Sequence, residues 1–163
     1  MFLGLAFLSA YLKKNIEDID VHLIDATFNP TMDFVESEFR KHDPGIVAIY
    51  MGTIMFNFGL MVAKAAKKMG INVVVGGPHP TIVPDSVIKE DCIDAIALGE
   101  GESTFLEYVE AFYGDGDFSS IEGLWFKKDG EIIKNKPRAP IADLSCSREE
   151  MRSIASRNSS AVS

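Results

Sequence analysis

Glycine-rich segments that carry polar or charged side chains follow three of the apolar runs in the sequence. GGPH covers residues 76–79, GEGE covers residues 99–102, and Met51-Gly52-Thr53 ends a third run. Glycine allows a ligand to approach the backbone closely. One such segment would be an ordinary tight turn, whereas three of them favour a binding site for a broad ligand. The pattern indicates binding, and we assign no catalytic residue in this chain.

Apolar runs of strand length alternate with helical patterns through the first part of the chain. We predict strands at residues 20–26, 46–51, 72–75 and 94–98. We predict helices at residues 3–14, 31–43, 57–70, 85–90 and 102–113, the second of them capped by Thr31. Strands that alternate with helices imply a parallel sheet with right-handed crossovers. Ligands bind such sheets beyond the carboxyl ends of the strands, where the glycine segments lie.

The later part of the chain has a different pattern. Residues 121–138 predict a β-hairpin that turns at Lys128-Asp129-Gly130. The expected fold is therefore α/β: a Rossmann-like, flavodoxin-type, mostly parallel sheet with helices on both faces, plus a C-terminal β-hairpin. We divide the chain into a domain at residues 1–113, a linker and hairpin extension at residues 114–142, and a polar tail at residues 143–163.

Composition and charge exclude several classes of partner. The chain has 163 residues and a formal net charge of −8, which argues against nucleic acid and anionic membrane surfaces. Its first apolar run is too short to span a bilayer, and lysines follow the run, so we expect neither a membrane helix nor a signal peptide. The two cysteines, Cys92 and Cys146, form no C-x-x-C pattern. They argue against a disulfide framework or a zinc site, and we expect a reducing cytoplasm.

Phosphate-binding chemistry fits the glycine segments poorly. The sequence has neither the G-x-G-x-x-G fingerprint nor a Walker loop. The carboxylates of Glu100 and Glu102 would repel a phosphate, although they suit a helix N-terminus. A receiver-type phosphorylation site would need a lysine at a strand end, and an FMN site would need a Ser/Thr-rich loop. A Rossmann-like domain that binds another small nucleotide stays open as an alternative.

Three segments, LGLAFLSAYLKK, GGPHPTIVPD and ALGEGESTF, resemble a known family in their order and spacing. They are similar to the N-terminal cobalamin-binding domain of B12-dependent radical SAM enzymes. The anaerobic magnesium-protoporphyrin IX monomethyl ester cyclases and many methyltransferase-like proteins are relatives. The resemblance covers roughly residues 3–142. It implies a cobalamin-binding domain that positions the corrinoid for a catalytic domain of cyclase or methyltransferase type.

The resemblance also implies which residues form the site. The nucleotide tail of cobalamin would pass beside the sheet at Gly76 and Gly77, which lack side chains, while the corrin lies across the strand ends. Thr53 would offer its hydroxyl group to the tail. The other implied cofactor-binding residues are Pro78, His79, Gly99, Glu100, Gly101 and Glu102. The prolines of this segment would keep its loop rigid and so reduce the ordering cost of binding.

A histidine ligand to cobalt is not expected. Asp20 and His22 imitate the start of the D-x-H-x-x-G motif of other B12 domains, but Asp25 stands in place of its glycine. We therefore interpret His22 as a strand residue. For His79 we favour a hydrogen bond to a loop carbonyl or carboxylate, because the radical SAM relatives typically bind cobalamin without a protein histidine.

Two differences from the family lead to further expectations. The strand that precedes LGLA in the family is missing from this sequence, so we expect an unusual sheet edge, strand exchange or a homo-dimer. No C-x-x-x-C-x-x-C motif follows, which would place the 4Fe-4S cluster and S-adenosylmethionine only in the parent protein. The alternative function is a cofactor-free, Rossmann-like interaction or sensing module.

Overall fold

The computed structural model describes residues 3–114 and 116–139. Residues 24–138 form one compact unit, and residues 3–23 belong to a second unit. In the second of these units, helix α1 (Leu3–Asn15) has Lys13 and Lys14 in its last turn. Positive charge is favourable at that position because the last carbonyl groups of a helix carry partial negative charge. The predicted polar tail and Cys146 lie outside the described residues.

Residues 24–138 fold around a five-stranded sheet with the order β1-β2-β3-β4-β5. Its strands are β1 (Ile46–Tyr50), β2 (Asn72–Gly76), β3 (Ala95–Ala97), β4 (Leu124–Lys128) and β5 (Glu131–Lys134). The first three strands are parallel, and the hairpin strands β4 and β5 add to the sheet in antiparallel orientation. The predicted α/β class and hairpin are confirmed, and the sheet as a whole is mixed.

The helices of this unit begin and end where local residues favour it. They are α2 (Met32–His42), α3 (Phe56–Lys68), α4 (Pro78–Ile82), α5 (Pro84–Ile88) and α6 (Gly101–Tyr113), with a short 3-10 helix at Thr53–Met55. Thr31 caps α2, because its hydroxyl oxygen accepts the N–H of Phe34 at 3.4 Å. The hairpin turns at Asp129 and Gly130, whose φ angles of 52° and 83° suit a two-residue turn.

The two faces of the sheet pack against different helices. Val73, Val75 and Ile96 point to one face and pack in a buried core with side chains of α2, α3 and α5. The strand register places Asn72, Gly76 and Ala97 on the opposite face, where α6 packs. There the Tyr108 hydroxyl of α6 donates to Asn72 Oδ1 at 2.7 Å. Helices therefore cover both faces, as predicted.

The predicted strand at residues 20–26 is wrong. These residues form no strand in the structure, and Asp25 accepts hydrogen bonds from the N–H and hydroxyl of Thr27, at 3.0 and 2.5 Å, in a turn. A strand exists only when a neighbour pairs with it, and within the described residues β1 pairs with β2 alone. The predicted loop at Pro78 and Pro80 is also wrong, because both residues lie in the short helix α4.

No helix in the described part of the chain is long and apolar enough to cross a membrane.

Candidate functional site

The segments after β1, β2 and β3 meet at the carboxyl edge of the sheet. Thr81, in α4, connects the segments that follow β2 and β3. Its hydroxyl donates to the Gly77 carbonyl oxygen at 2.9 Å and accepts the N–H of Gly99 at 3.1 Å. The segment after β1 is attached as well, since the Met51 N–H donates to the Gly76 carbonyl at 2.8 Å. The sequence-predicted site segments therefore form one connected rim.

His79 and Thr53 lie together on this rim. The two side chains approach to 3.3 Å between His79 Nδ1 and Thr53 Oγ1. The His79 ring lies 4.4 Å from the Phe56 ring, and its backbone N–H donates to the Met51 carbonyl at 3.1 Å. The side-chain partner of His79 is thus a hydroxyl group, not the loop carbonyl or carboxylate that we predicted.

The glycines of the rim serve different physical purposes. Gly77 has a φ angle of 107°, and a Cβ atom there would lie 3.0 Å from the Met51 carbonyl oxygen and 3.1 Å from the Tyr50 ring. The fold itself therefore requires glycine at position 77. Gly76 differs, because a Cβ atom there would meet only the Ala97 carbonyl oxygen, at 3.7 Å. The fold could therefore accommodate a Cβ atom at position 76, and glycine leaves that space open.

The acidic end of the rim is the start of α6. Glu100 is the N-cap residue, Gly101 is the first helical residue and Glu102 lies in the first turn. Carboxylates at this end of a helix are favourable because the first N–H groups carry partial positive charge. Gly99 has a φ angle of 71° and open space around its Cα, so backbone conformation rather than crowding favours glycine there.

An open cavity of about 410 Å³ lies at these strand ends and is lined by Tyr50, Gly77, Pro78, Thr81, Ile82 and Gly99. Its volume falls in the range of roughly 300–1,000 Å³ that is usual for small-ligand sites. Sequence reasoning missed Tyr50, Thr81 and Ile82. Alternation along β1 could have placed Tyr50 on the same face as Gly76, with which it pairs.

Asp25 does not cap a helix. Helix α2 begins later, at the Thr31 cap. The hydrogen bonds from Thr27 lower the pKa of the Asp25 carboxyl group below its usual value. His22 lies outside any strand and its Nε2 is 2.8 Å from Asp20 Oδ2. In residues 3–114 and 116–139, no group of three or more His, Cys, Asp or Glu could hold a metal ion.

The fold and the rim define a Rossmann-like α/β domain whose candidate site lies at the carboxyl edge of a mixed sheet. A family model for the B12 binding domain matches residues 2–109, which is more than half of the chain. The chain therefore belongs to the B12-binding domain family, as the sequence motifs indicated.

Curated relatives are much longer than this chain. An uncharacterized methyltransferase of Pyrococcus horikoshii is 38% identical over 143 residues, which is 85% of this chain and 30% of the relative. The anaerobic magnesium-protoporphyrin IX monomethyl ester cyclase of Synechocystis is 32% identical over 133 residues, or 77% of this chain and 26% of the cyclase. The chain thus spans less than a third of these relatives.

A solved structure has the same fold. The radical S-adenosylmethionine methyltransferase TsrM of Kitasatospora setae, solved with cobalamin and a 4Fe-4S cluster, superposes with a TM-score of 0.72 at 19% identity. The match covers 86% of this chain and 27% of TsrM. The likeness shows that this chain has the same fold as the matched part of TsrM.

The residues of the rim fit a cobalamin group on one structural ground. The position of Gly76 faces open space beside a cavity, so a flat group can reach the backbone of β2 without displacing a side chain. The register pairs Gly76 with the small residue Ala97 on one side and with Tyr50, which supplies an aromatic ring to the cavity, on the other.

Proposed function

We propose that this chain binds cobalamin at the rim and positions the corrinoid for a radical SAM catalytic domain. The observation that carries the proposal is the open space at Gly76, next to a cavity at the carboxyl ends of three strands. A purely structural domain would gain packing by filling that space with a side chain. Family membership supports the same interpretation.

The rim residues would have distinct roles. Gly76 leaves room for the nucleotide tail, and Gly77 lets the chain turn away sharply at the end of β2. Thr53 and His79 form a polar pair that can face the tail. The residues assigned to the border of the cofactor are Pro78, Gly99, Glu100, Gly101 and Glu102.

The protein's own part in the chemistry is to bind and orient. Bound cobalamin would supply a cobalt centre that carries a methyl group or assists a radical step. Thr81 holds the segments after β2 and β3 in fixed relation, so the rim is ordered before the cofactor arrives. Pre-ordering reduces the entropy cost of binding.

The parent reaction would be of cyclase or methyltransferase type, as the names of the two curated relatives suggest. The 4Fe-4S cluster and S-adenosylmethionine would then bind in the radical SAM domain of the full-length protein. We assign the protein to the cytoplasm, which the free, buried thiol of Cys92 supports.

The test is retention of hydroxocobalamin after desalting, measured by ultraviolet-visible absorption. We expect about one cobalamin per chain in the wild type. We expect Gly76→Ala to weaken binding and Gly76→Val to weaken it by at least about tenfold, because each added carbon fills the open space. Gly76→Ala should fold, since its Cβ atom meets only the Ala97 carbonyl oxygen, at ordinary contact distance.

The matched control is Gly45→Ala, which lies at the amino end of β1, far along the strand from the rim. Its Cβ atom would meet the hydroxyl end of Tyr113, an exposed and adjustable side chain. Gly45→Ala should retain cobalamin. A colourless wild-type protein, or Gly76→Val that binds normally, would overturn the proposal. Gly77→Val is a poor test because it would strain the fold whether or not cobalamin binds.

A second candidate is a cofactor-free interaction module, and the edge of the sheet favours it. Strand β1 has the sequence IVAIY, with no charged or proline residue, and it is the edge strand of the sheet in the described part of the chain. Such edges pair readily with other strands. We propose that a strand from a second copy of the chain adds along β1, by dimerisation or strand exchange.

A further inference from the structure

The last strand of the sheet carries the chain to the edge at which the candidate site lies. Strand β4 is antiparallel to β3, and β5 is antiparallel to β4. Strand β5 therefore runs in the direction of β1, β2 and β3, and it ends at the same carboxyl edge. The residues after β5 extend the pairing, since the Gly123 N–H donates to the Lys136 carbonyl oxygen at 2.7 Å. The chain thus leaves the sheet at the edge where the rim lies.

Arg138, the last residue of the compact unit formed by residues 24–138, donates to three acceptors. Its Nε atom donates to the Thr104 hydroxyl oxygen at 3.1 Å and to the Glu122 carbonyl oxygen at 3.2 Å. Its Nη2 atom donates to Glu107 Oε2 at 2.6 Å, and only 22% of the Arg138 side chain is exposed. Chain segments at the end of a compact unit are poorly held unless specific contacts fix them. We call this set of contacts the Arg138 clasp.

The clasp packs closely against the turn that leads into the rim. Gly123 has a φ angle of 78°, and a Cβ atom there would lie 3.0 Å from Thr104 Oγ1 and 3.3 Å from Arg138 Cβ. The Gly123 carbonyl oxygen accepts the N–H of Leu98 at 2.9 Å, and Leu98 directly precedes the rim residue Gly99. The helix that carries the Thr104 hydroxyl, α6, also begins at the rim. Arg138 is therefore connected to the rim by a helix and by a row of hydrogen bonds.

The hairpin and the clasp lie beyond the family model, which ends at residue 109. The similarity to the methyltransferase of Pyrococcus horikoshii covers 85% of this chain, so it continues past that residue into the hairpin region. That relative is much longer than this chain, which spans 30% of it. A part that is shared with a longer protein, but lies outside the cofactor-binding model, favours a role in joining the two domains.

We propose, on the basis of the function proposed above, that Arg138 is a positioning residue. The clasp holds the point at which the chain leaves the sheet close to the rim, so that the downstream catalytic domain covers bound cobalamin. Without the clasp, the connection would fray and the downstream domain would move relative to the rim, which admits water and solutes to the cobalt. A merely stabilising Arg138 would have a different effect, since its loss would lower stability without changing the access of solutes to bound cobalamin.

The experiment measures the rate at which cyanide replaces the upper ligand of bound hydroxocobalamin, followed by absorption, in the full-length parent protein. We expect the wild type to react more slowly than this chain alone, because the downstream domain covers the cofactor. Arg138→Gln in the full-length protein should react about threefold to tenfold faster, as the loss of partly exposed, charge-assisted hydrogen bonds implies. Arg138→Lys, which keeps the charge near Glu107 but not the forked donor, should give an intermediate rate.

The matched control is Lys136→Gln, which removes a positive charge two residues earlier. The backbone carbonyl of Lys136, and not its side chain, bonds to Gly123, so this variant should react at the wild-type rate. In this chain alone, Arg138→Gln should retain cobalamin as the wild type does.

Equal rates for full-length wild type and Arg138→Gln would overturn the positioning role, as would an equal acceleration in Lys136→Gln. Loss of cobalamin from the Arg138→Gln chain alone would also overturn it, because the clasp would then shape the rim itself. A wild-type chain that retains no cobalamin would overturn the proposed function instead.

Discussion

His79 is oriented by contacts that its own segment and the neighbouring segment provide. Thr53 meets its Nδ1 atom, Phe56 packs on its ring, and the Met51 carbonyl accepts its backbone N–H. The imidazole therefore connects α4 to the residues that follow β1. This arrangement supports a positioning role at the rim, in line with the expectation that the family binds cobalamin without a histidine ligand.

At the residue scale we predict that His79→Gln does not change the absorption bands of bound cobalamin, which should remain of the base-off type. The reason is that an imidazole which positions the rim contributes no bond to cobalt. Thr53→Val should weaken binding modestly, by a few-fold, because it removes the hydroxyl partner of His79. Absorption spectra of the desalted complexes provide the measurement.

His22→Gln tests in the same way whether the histidine of the D-x-H pattern is a cobalt ligand. His22 bonds to Asp20 two residues away, and this variant should also leave the spectrum unchanged. A band shift in either histidine variant would identify that imidazole as a cobalt ligand and contradict this interpretation.

At the scale of elements, a buried hydroxyl joins α6 to the segment that follows the hairpin. Thr104 is fully buried, and its hydroxyl donates to the Glu122 carbonyl at 2.9 Å and accepts Arg138 Nε at 3.1 Å. Arg138 also donates to Glu107 Oε2 at 2.6 Å. These bonds fix Arg138, in the segment after the hairpin, against the helix whose N-terminus forms the acidic end of the rim.

We predict that Thr104→Val lowers the free energy of unfolding by about 1–3 kcal/mol, because valine keeps the shape but leaves the Glu122 carbonyl without this donor. Urea titration followed by circular dichroism measures the change. Thr104→Ser, which retains the hydroxyl, should lose less than Thr104→Val does. The reverse order would mean that the methyl group, and not the hydrogen bonds, matters at this position.

At the scale of the whole molecule, the hydrogen bonds between β1 and β2 determine which backbone N–H groups of β1 point away from β2. Gly45 and Met51 bond to β2 through the Gly45 carbonyl and the Met51 N–H. In a parallel pair, alternate residues direct both backbone groups to the same neighbour. The N–H of Ala48 must therefore point to the outer edge, together with those of Ile46 and Tyr50.

Strand addition along this edge makes a specific prediction. Ala48→Pro removes an outward N–H but no bond to β2, so the fold should persist while added strands lose a donor. We expect dimers of the wild type at high concentration in light scattering, and monomers of Ala48→Pro. Ala48→Ser keeps the N–H and should behave as the wild type. A wild type that is monomeric at every concentration would rule out the dimer.

Features that depend on neighbouring residues could be predicted from the sequence. The Thr31 cap, the Asp129-Gly130 turn and the glycine segments after the strands all appear where the sequence pattern placed them. Each is determined by a few adjacent residues, because capping and positive φ angles are local properties. The family could also be recognised from the sequence, because its motifs are short and their spacing is preserved.

Features that depend on distant partners came only from the tertiary structure. Residues 20–26 have the composition of a strand, but no strand of residues 3–114 and 116–139 pairs with them, so they form none. Gly76 and Gly77 are indistinguishable in sequence, yet only the packing of Tyr50 and Met51 around Gly77 makes that glycine necessary to the fold. The sequence by itself determined the α/β class and the family. The tertiary structure decided which glycine leaves open space and which wall faces it, because both depend on atoms far apart along the chain.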